Sequence, residues 1–300
     1  MAGQFETITT RVLEIGYEEH GQGSGGRDVV LLHGFPYDVR CYDHVAPKLA
    51  DAGCRVFVPY LRGCGPTRFL SESTFRSGEQ AALASDLFDF VDALGLDRPL
   101  LAGFDWGGRA ATATAALWPE RFSGLLTTGG YSIYNVAEAR HPAPPQVEWV
   151  LWYQYYFLTD RGRAGLQVAR RDLCRLLWRL WSPTWPFDDA TFDMTAASFE
   201  NPDFVDIVLH SYRHRLGGET GDPVYAEIEA RLSRRPAVII PAAVLSSGHG
   251  PLPASPPDVQ HMRNMLWTDI VEHGGHNLPQ QCPSEFAKAV LRLVHDTDGG

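Results

Sequence analysis

The chain is 300 residues long, with 44% hydrophobic and 21% charged residues, which gives apolar surface for a large core and excludes disordered and fibrous classes. A formal net charge of −10 argues against nucleic acid as the main partner, since phosphate binding needs a concentrated cationic face. No apolar run reaches the roughly eighteen residues that a membrane-spanning helix needs, so no membrane partner is expected.

The opening residues, Met1 to Glu6, carry neither the basic nor the apolar stretch of a signal peptide, and a cytoplasmic protein is expected. Lys48 and Lys288 are the only lysines, which disfavours Schiff-base chemistry. The five cysteines (Cys41, Cys54, Cys64, Cys174, Cys282) are scattered without a CxxC pair. They read as reduced thiols, not as a disulfide frame or a zinc site.

Residues 6–19 alternate in polarity through Ile8, Val12 and Ile15 and predict an opening strand pair. Gly21-x-Gly23-x-x-Gly26 then has dinucleotide-fingerprint spacing, but that motif requires a helix after its glycines. The apolar run 29–32 follows instead, so a hairpin loop is expected and no nucleotide. Beyond it, strands at 29–32, 55–59, 100–102 and 122–128 alternate with helices at 41–52, 77–94 and 107–118. Strands joined by crossover helices imply a parallel sheet covered on both faces.

From 135 to 234 the pattern is helical, opening on Pro142, Pro144 and Pro145 and holding five of the eight tryptophans between Trp149 and Trp185. Strand character returns at 237–245 and 265–271, and a helix over 283–295 closes the chain. Two units are therefore expected: a core of 1–134 with 235–300, and a helical insertion of 135–234 after the fourth parallel strand.

The most informative segment is Gly103-Phe104-Asp105-Trp106-Gly107-Gly108, which leaves a buried strand and enters a helix. That is the setting of a nucleophile elbow, whose glycines relieve crowding around one exposed side chain. Its central residue is Asp105, and no G-x-S-x-G occurs anywhere, which excludes an ordinary serine esterase or lipase.

With His33-Gly34-Phe35-Pro36 after one strand and Arg62-Gly63-Cys64-Gly65-Pro66 after the next, the chain resembles the α/β-hydrolase epoxide hydrolases over nearly its whole length. Cys64 departs from the tyrosine common at that position. The resemblance implies an α/β-hydrolase fold with a helical cap, Asp105 as nucleophile, and an oxyanion hole from the Phe35 and Trp106 backbone N–H groups. It also implies no metal or organic cofactor. His276, between the last strand and the last helix, holds the place of that fold's catalytic base; His273, His210 and His214 are the competing histidines.

A leaving alkoxide needs a proton donor, which this family takes from cap tyrosines. Tyr212, late in the insertion, is one candidate; Tyr153, or its neighbour Trp152, is the other. Tryptophan could only polarise the oxygen, because it cannot give up its proton. The acid that should orient His276 is missing: aligning Gly250 and Pro253 with the family loop puts His249 in its slot. No Asp or Glu lies between Glu229 and Asp258. Glu138 and Glu272 are the candidate surrogates.

The expected activity is opening of a small hydrophobic, aromatic epoxide to a diol, and similar enzymes occur in aromatic polyketide pathways. A haloalkane dehalogenase using Trp106 and Trp152 as halide donors is one alternative. A degenerate, non-hydrolytic scaffold, suggested by His249, is the other. A homodimer is the candidate assembly, although nothing in the sequence argues for it.

Overall fold

The computed structural model describes residues 5–23, 25–250 and 257–297. Among the described residues nine strands form one sheet: β1 (Glu6–Thr9), β2 (Leu13–His20), β3 (Asp28–Leu32), β4 (Arg55–Pro59), β5 (Arg68–Phe69), β6 (Leu100–Gly103), β7 (Gly124–Thr127), β8 (Ala242–Ser247) and β9 (Met265–Val271). Their order is β1-β2-β4-β3-β6-β7-β8-β9, with β5 paired to β2. From β4 to β9 every neighbour runs parallel; β1, β2 and β5 are antiparallel additions.

The parallel strands are apolar throughout because helices cover both faces of the sheet. Val29–Leu32, Val56–Val58 and Leu100–Ala102 are all fully buried. Helices α1 (Ala46–Asp51), α2 (Gln80–Ala93), α3 (Asp105–Leu117), α10 (Leu278–Gln281) and α11 (Pro283–Thr297) belong to this sheet layer. Between β7 and β8 lie six more: α4 (Pro145–Val150), α5 (Trp152–Phe157), α6 (Asp160–Trp181), α7 (Asp189–Ala196), α8 (Phe204–Arg215) and α9 (Ala226–Leu232). No helix among the described residues is long and apolar enough to cross a membrane.

Two local expectations change. The hairpin expected at 21–26 is not formed, because β2 and β3 are not paired: β4 lies between them, bonded to both. The predicted helix over 41–52 is a 3-10 turn, Val39–Tyr42, followed by the short α1, whose first turn holds Pro47. Asp38 caps that turn by accepting from the Arg40 N–H at 3.0 Å.

Buried polar ties fasten the inserted helices over the sheet's C-terminal edge. Asp38 also accepts from Thr195 Oγ1 at 2.9 Å and Ser198 Oγ at 2.6 Å. Arg62 forks onto Asp86 at 2.6 and 2.7 Å and reaches the Tyr225 hydroxyl at 3.2 Å. Glu79 accepts from the Asp222 N–H at 2.8 Å and faces His214 at 3.4 Å. Each tie satisfies groups that would be costly to bury alone, so together they fix the register of insertion against sheet.

Candidate active site

Asp105 opens α3 directly after β6, with φ of +50°. That left-handed conformation costs a non-glycine residue roughly 1–2 kcal/mol and aims its side chain away from the helix. The turn is possible because Gly107 packs its Cα against the Leu32 and His33 carbonyls, where a Cβ would collide. Gly34 does the same for the carboxylate: a Cβ there would lie 2.6 Å from Asp105 Oδ1. Two glycine-dependent approaches thus seat one carboxylate against two loops.

The Phe35 N–H donates to Asp105 Oδ1 at 2.8 Å, and His276 Nε2 lies 3.6 Å from Oδ2. Trp106, next in the chain, is in the first turn of α3, where backbone N–H groups lack intrahelical acceptors. Burial alone would raise the Asp105 pKa. His276, then Arg109 and the Phe35 N–H, overcome it and hold the carboxyl below its ordinary value. The side chain is still 15% exposed and that of His276 22%, so both are open to a reactant.

His276 sits in the turn between β9 and α10. Its backbone N–H donates to the Trp181 carbonyl at 3.2 Å, and its ring packs 4.9 Å from that of Trp181. Nδ1 meets the Tyr37 hydroxyl at 3.3 Å, with the two rings stacked at 24°. The expected orienting groups lie elsewhere. His249 is exposed in the turn after β8, where its backbone N–H donates to the Gly274 carbonyl at 2.9 Å. Glu138 and Glu272 are exposed as well. Among the described residues none of the three is a polar contact of His276. Tyr37 was missed because a neutral phenol is not an acid; its signal was its place directly after His33-Gly34-Phe35-Pro36.

Above Asp105 the inserted helices supply two buried tyrosines, Tyr153 from α5 and Tyr212 from α8, with rings perpendicular and 5.3 Å apart. Trp106 Nε1 donates to the Tyr212 hydroxyl at 3.2 Å, and Gln154 Nε2 donates to the Tyr153 hydroxyl at 3.1 Å. Burial raises both phenol pKa values, and the charge of Asp105 raises them further, so both stay protonated at neutral pH. Trp152 is half-buried and packs on Tyr153 and Tyr156. Phe35 lies between the two layers, stacked on Trp106 at 5.5 Å and edge-on to Phe157 and Trp181.

The competing histidines have other partners. His210 Nδ1 accepts from the Gly78 N–H at 2.9 Å, and His214 faces Glu79. His33 accepts from the Leu61 N–H through Nε2 at 3.0 Å, so its proton is on Nδ1, directed at the Gly34 carbonyl 3.1 Å away. His273 lies with Cys282 and Glu285, whose ligand atoms fall within 4.8 Å of one another. This is the group among the described residues able to gather around a metal, and neither Asp105 nor His276 belongs to it.

This arrangement of buried carboxylate, imidazole and facing phenols on a parallel sheet defines a hydrolase of the α/β class. The sequence profile of the alpha/beta hydrolase fold family matches residues 29–211. A crystal structure from Klebsiella pneumoniae, described as a putative epoxide hydrolase, superposes with a TM-score of 0.93 at 42% identity, covering 97% of each chain. Epoxide hydrolase B of Mycobacterium tuberculosis is 31% identical over 147 residues, 45% of this chain and 40% of that protein. Epoxide hydrolase 3 of Siraitia grosvenorii is 32% identical over 145 residues, 48% of this chain and 43% of that protein. The alignments thus span less than half the length of these two curated relatives. The chain belongs to the epoxide hydrolase family of the α/β-hydrolase fold.

Proposed function

We propose that the protein hydrolyses a hydrophobic epoxide to a diol through an ester on Asp105, with residues 135–234 acting as a cap over the core. In the first step a carboxylate oxygen of Asp105 attacks one oxirane carbon and the C–O bond to that carbon breaks. Its electron pair stays on the ring oxygen, which takes a proton from Tyr212 or Tyr153. In the second step water attacks the ester carbonyl carbon and gives its proton to His276. The oxyanion that forms is held by the Phe35 N–H together with that of Trp106. On collapse the ester C–O bond breaks, the leaving alkoxide takes the proton held by His276, and the diol departs carrying one oxygen from Asp105. The water's second proton, left on the new carboxyl, returns to the phenolate and leaves Asp105 ionised.

The observation that carries this reading is the ionised Asp105, held by the Phe35 N–H against His276 while protonated phenols face it from the inserted helices. The names of the relatives support the same chemistry. The aromatic surroundings, with Phe35 and Trp106 lining the space next to Asp105 and Phe157 and Trp181 packed behind Phe35, suit an apolar, aromatic substrate. A dehalogenase would need the Trp106 indole N–H for the departing halide, and here that N–H is donated to Tyr212. Single turnover of an aryl epoxide in heavy-oxygen water tests the proposal. The first diol should contain unlabelled oxygen, with the label left on Asp105. Label wholly in the first diol would mean direct attack by water.

A further inference from the structure

Arg109 lies one turn beyond Asp105 on α3, and Arg215 lies one turn beyond Tyr212 at the end of α8. Both guanidinium groups sit over the ring of Tyr134, at 5.4 and 5.3 Å from its centroid. Among the described residues neither pairs with a carboxylate. Arg109 is only 7% exposed, and its Nε is buried without a hydrogen-bond partner. Burial, and then the charge of Arg109, both push the Arg215 pKa down, the effect expected of a cation without its counter-ion. Two like charges held over one ring, one of them buried and the other half-buried, are costly unless something offsets them. The face of an aromatic ring offsets only about 0.5–2 kcal/mol per cation.

Beside Arg215 and Tyr134 lies a cavity of about 350 Å³, lined by these two and Gln154, among others; Arg109 stands behind Tyr134 and outside the lining. Gln154 is also the residue that donates to the Tyr153 hydroxyl, so the cavity lies one side chain away from the proposed proton donors. Of the carboxylates lining it, Glu148 is turned to the Tyr155 hydroxyl and the Ala143 N–H, and Glu138 is exposed. Arg235, on the same wall, is paired with Asp258 at 3.2 Å. Arg109 shares its field with the Asp105 carboxylate, so the charge left unanswered is that of Arg215.

We propose that Arg215, backed by Arg109, is a carboxylate-recognising subsite and that the substrate is an aryl epoxide bearing an acid group. This rests on the epoxide reading above and adds the chemistry at the far end of the substrate. A guanidinium fork binds a carboxylate in two parallel hydrogen bonds, and in a buried setting it discriminates strongly against an uncharged analogue.

Two measurements separate failure of the subsite from failure of the hydrolase reading. The first compares kcat/KM for 4-carboxystyrene oxide and its methyl ester. The acid should be favoured at least tenfold by the wild type, and the ratio should fall to near one in Arg215→Met. The second needs no turnover: benzoate binding, followed by calorimetry, should be saturable and weakened by salt, and Arg215→Met should abolish it. Arg109→Gln should weaken it about tenfold. Benzoate binding that depends on Arg215 supports the subsite even if no epoxide is turned over, and the hydrolase reading then fails alone. Turnover of both epoxides at equal rates, or benzoate binding unchanged in both variants, overturns the subsite and leaves the hydrolase reading standing. Should Arg215→Met fail to fold, the acid-to-ester ratio and the benzoate titration of the wild type alone still decide.

Discussion

The Tyr37 hydroxyl stands 3.3 Å from His276 Nδ1, where an orienting carboxylate is expected in this fold, while Nε2 faces Asp105. A carboxylate only accepts, so it enforces a proton on Nδ1 and leaves Nε2 free to act as base. A phenol both donates and accepts, so it supports either tautomer. With Nε2–H directed at the Asp105 carboxylate, neutral His276 accepts from Tyr37 through Nδ1, and that tautomer cannot take a proton from water. Tyr37 also brings no negative charge to stabilise the imidazolium; burial holds its pKa well above the ordinary phenol value. Replacing the acid of a serine-protease triad by its amide costs on the order of 10⁴ in kcat.

Ester hydrolysis is therefore expected to limit turnover, with the alkyl-enzyme accumulating in rapid-quench mass spectrometry. In the adduct Asp105 carries no charge, so Nε2 is released to act as base, and Nδ1–H of the imidazolium that forms donates to the Tyr37 oxygen. Tyr37→Phe removes that acceptor and should slow decay of the adduct by about tenfold, the scale of one buried hydrogen bond to a charged ring. Its formation should be unchanged. His249→Asp adds a carboxylate to the turn beside Gly274 and should speed decay. Decay at the wild-type rate in Tyr37→Phe would remove Tyr37 from the reaction.

For the tyrosines, general-acid assistance is commonly worth 10²–10⁴ in rate. Tyr212→Phe and Tyr153→Phe are each expected to slow adduct formation, and the pair together more than either alone. Tyr212 should dominate, because Trp106 Nε1 donates to its oxygen and so helps stabilise a phenolate as the proton leaves. Stopped-flow tryptophan fluorescence on an aryl epoxide would follow this step. Loss confined to KM would make the tyrosines wall, not acid.

The sheet was legible because parallel strands buried on both faces are written as unbroken apolar runs, and 100–102 or 29–32 admit no other reading. Asp105 was legible for a related reason: a positive φ beneath a crossing loop demands the glycines that surround it. Tyr37 and Arg215 were not. Each matters through a neighbour distant in the chain, His276 and Tyr134 respectively, and no local spacing encodes such a contact. The path of 21–26 was misread because hairpin signals report a reversal, while the insertion of β4 between β2 and β3 is a long-range choice.

The conformation of Asp105 gives a stability prediction of unusual sign. In a helix interior alanine exceeds glycine by about 1 kcal/mol. At φ of +50° the order should invert, since a Cβ costs roughly 1–2 kcal/mol in the left-handed region. Asp105→Gly should melt about 2–4 °C above Asp105→Ala, with both inactive. Equal melting temperatures would mean that the elbow relaxes once the carboxylate is gone.

His33 supplies the pH dependence. Burial depresses its pKa from 6.5 to about 4, with the Gly34 carbonyl opposing weakly, so the folded state holds the neutral ring. The group therefore contributes its full stability above the unfolded value of 6.5 and loses it progressively as the pH falls from 6.5 towards 4. Over that window the loss is on the order of 3 kcal/mol. Asp38 and Glu229 act in the opposite sense: burial raises each to about 7, so they favour the fold at low pH and lose that contribution as the pH rises from their ordinary values near 4 to about 7. A denaturation series on the wild type alone would therefore mix the contributions. Comparison with His33→Gln isolates the histidine, because glutamine keeps an acceptor for the Leu61 N–H and cannot titrate. The stability advantage of the wild type over the variant should grow between pH 4 and pH 6.5 and level off above it. A constant difference across that range would mean that His33 is as easily protonated in the folded protein as in the unfolded chain.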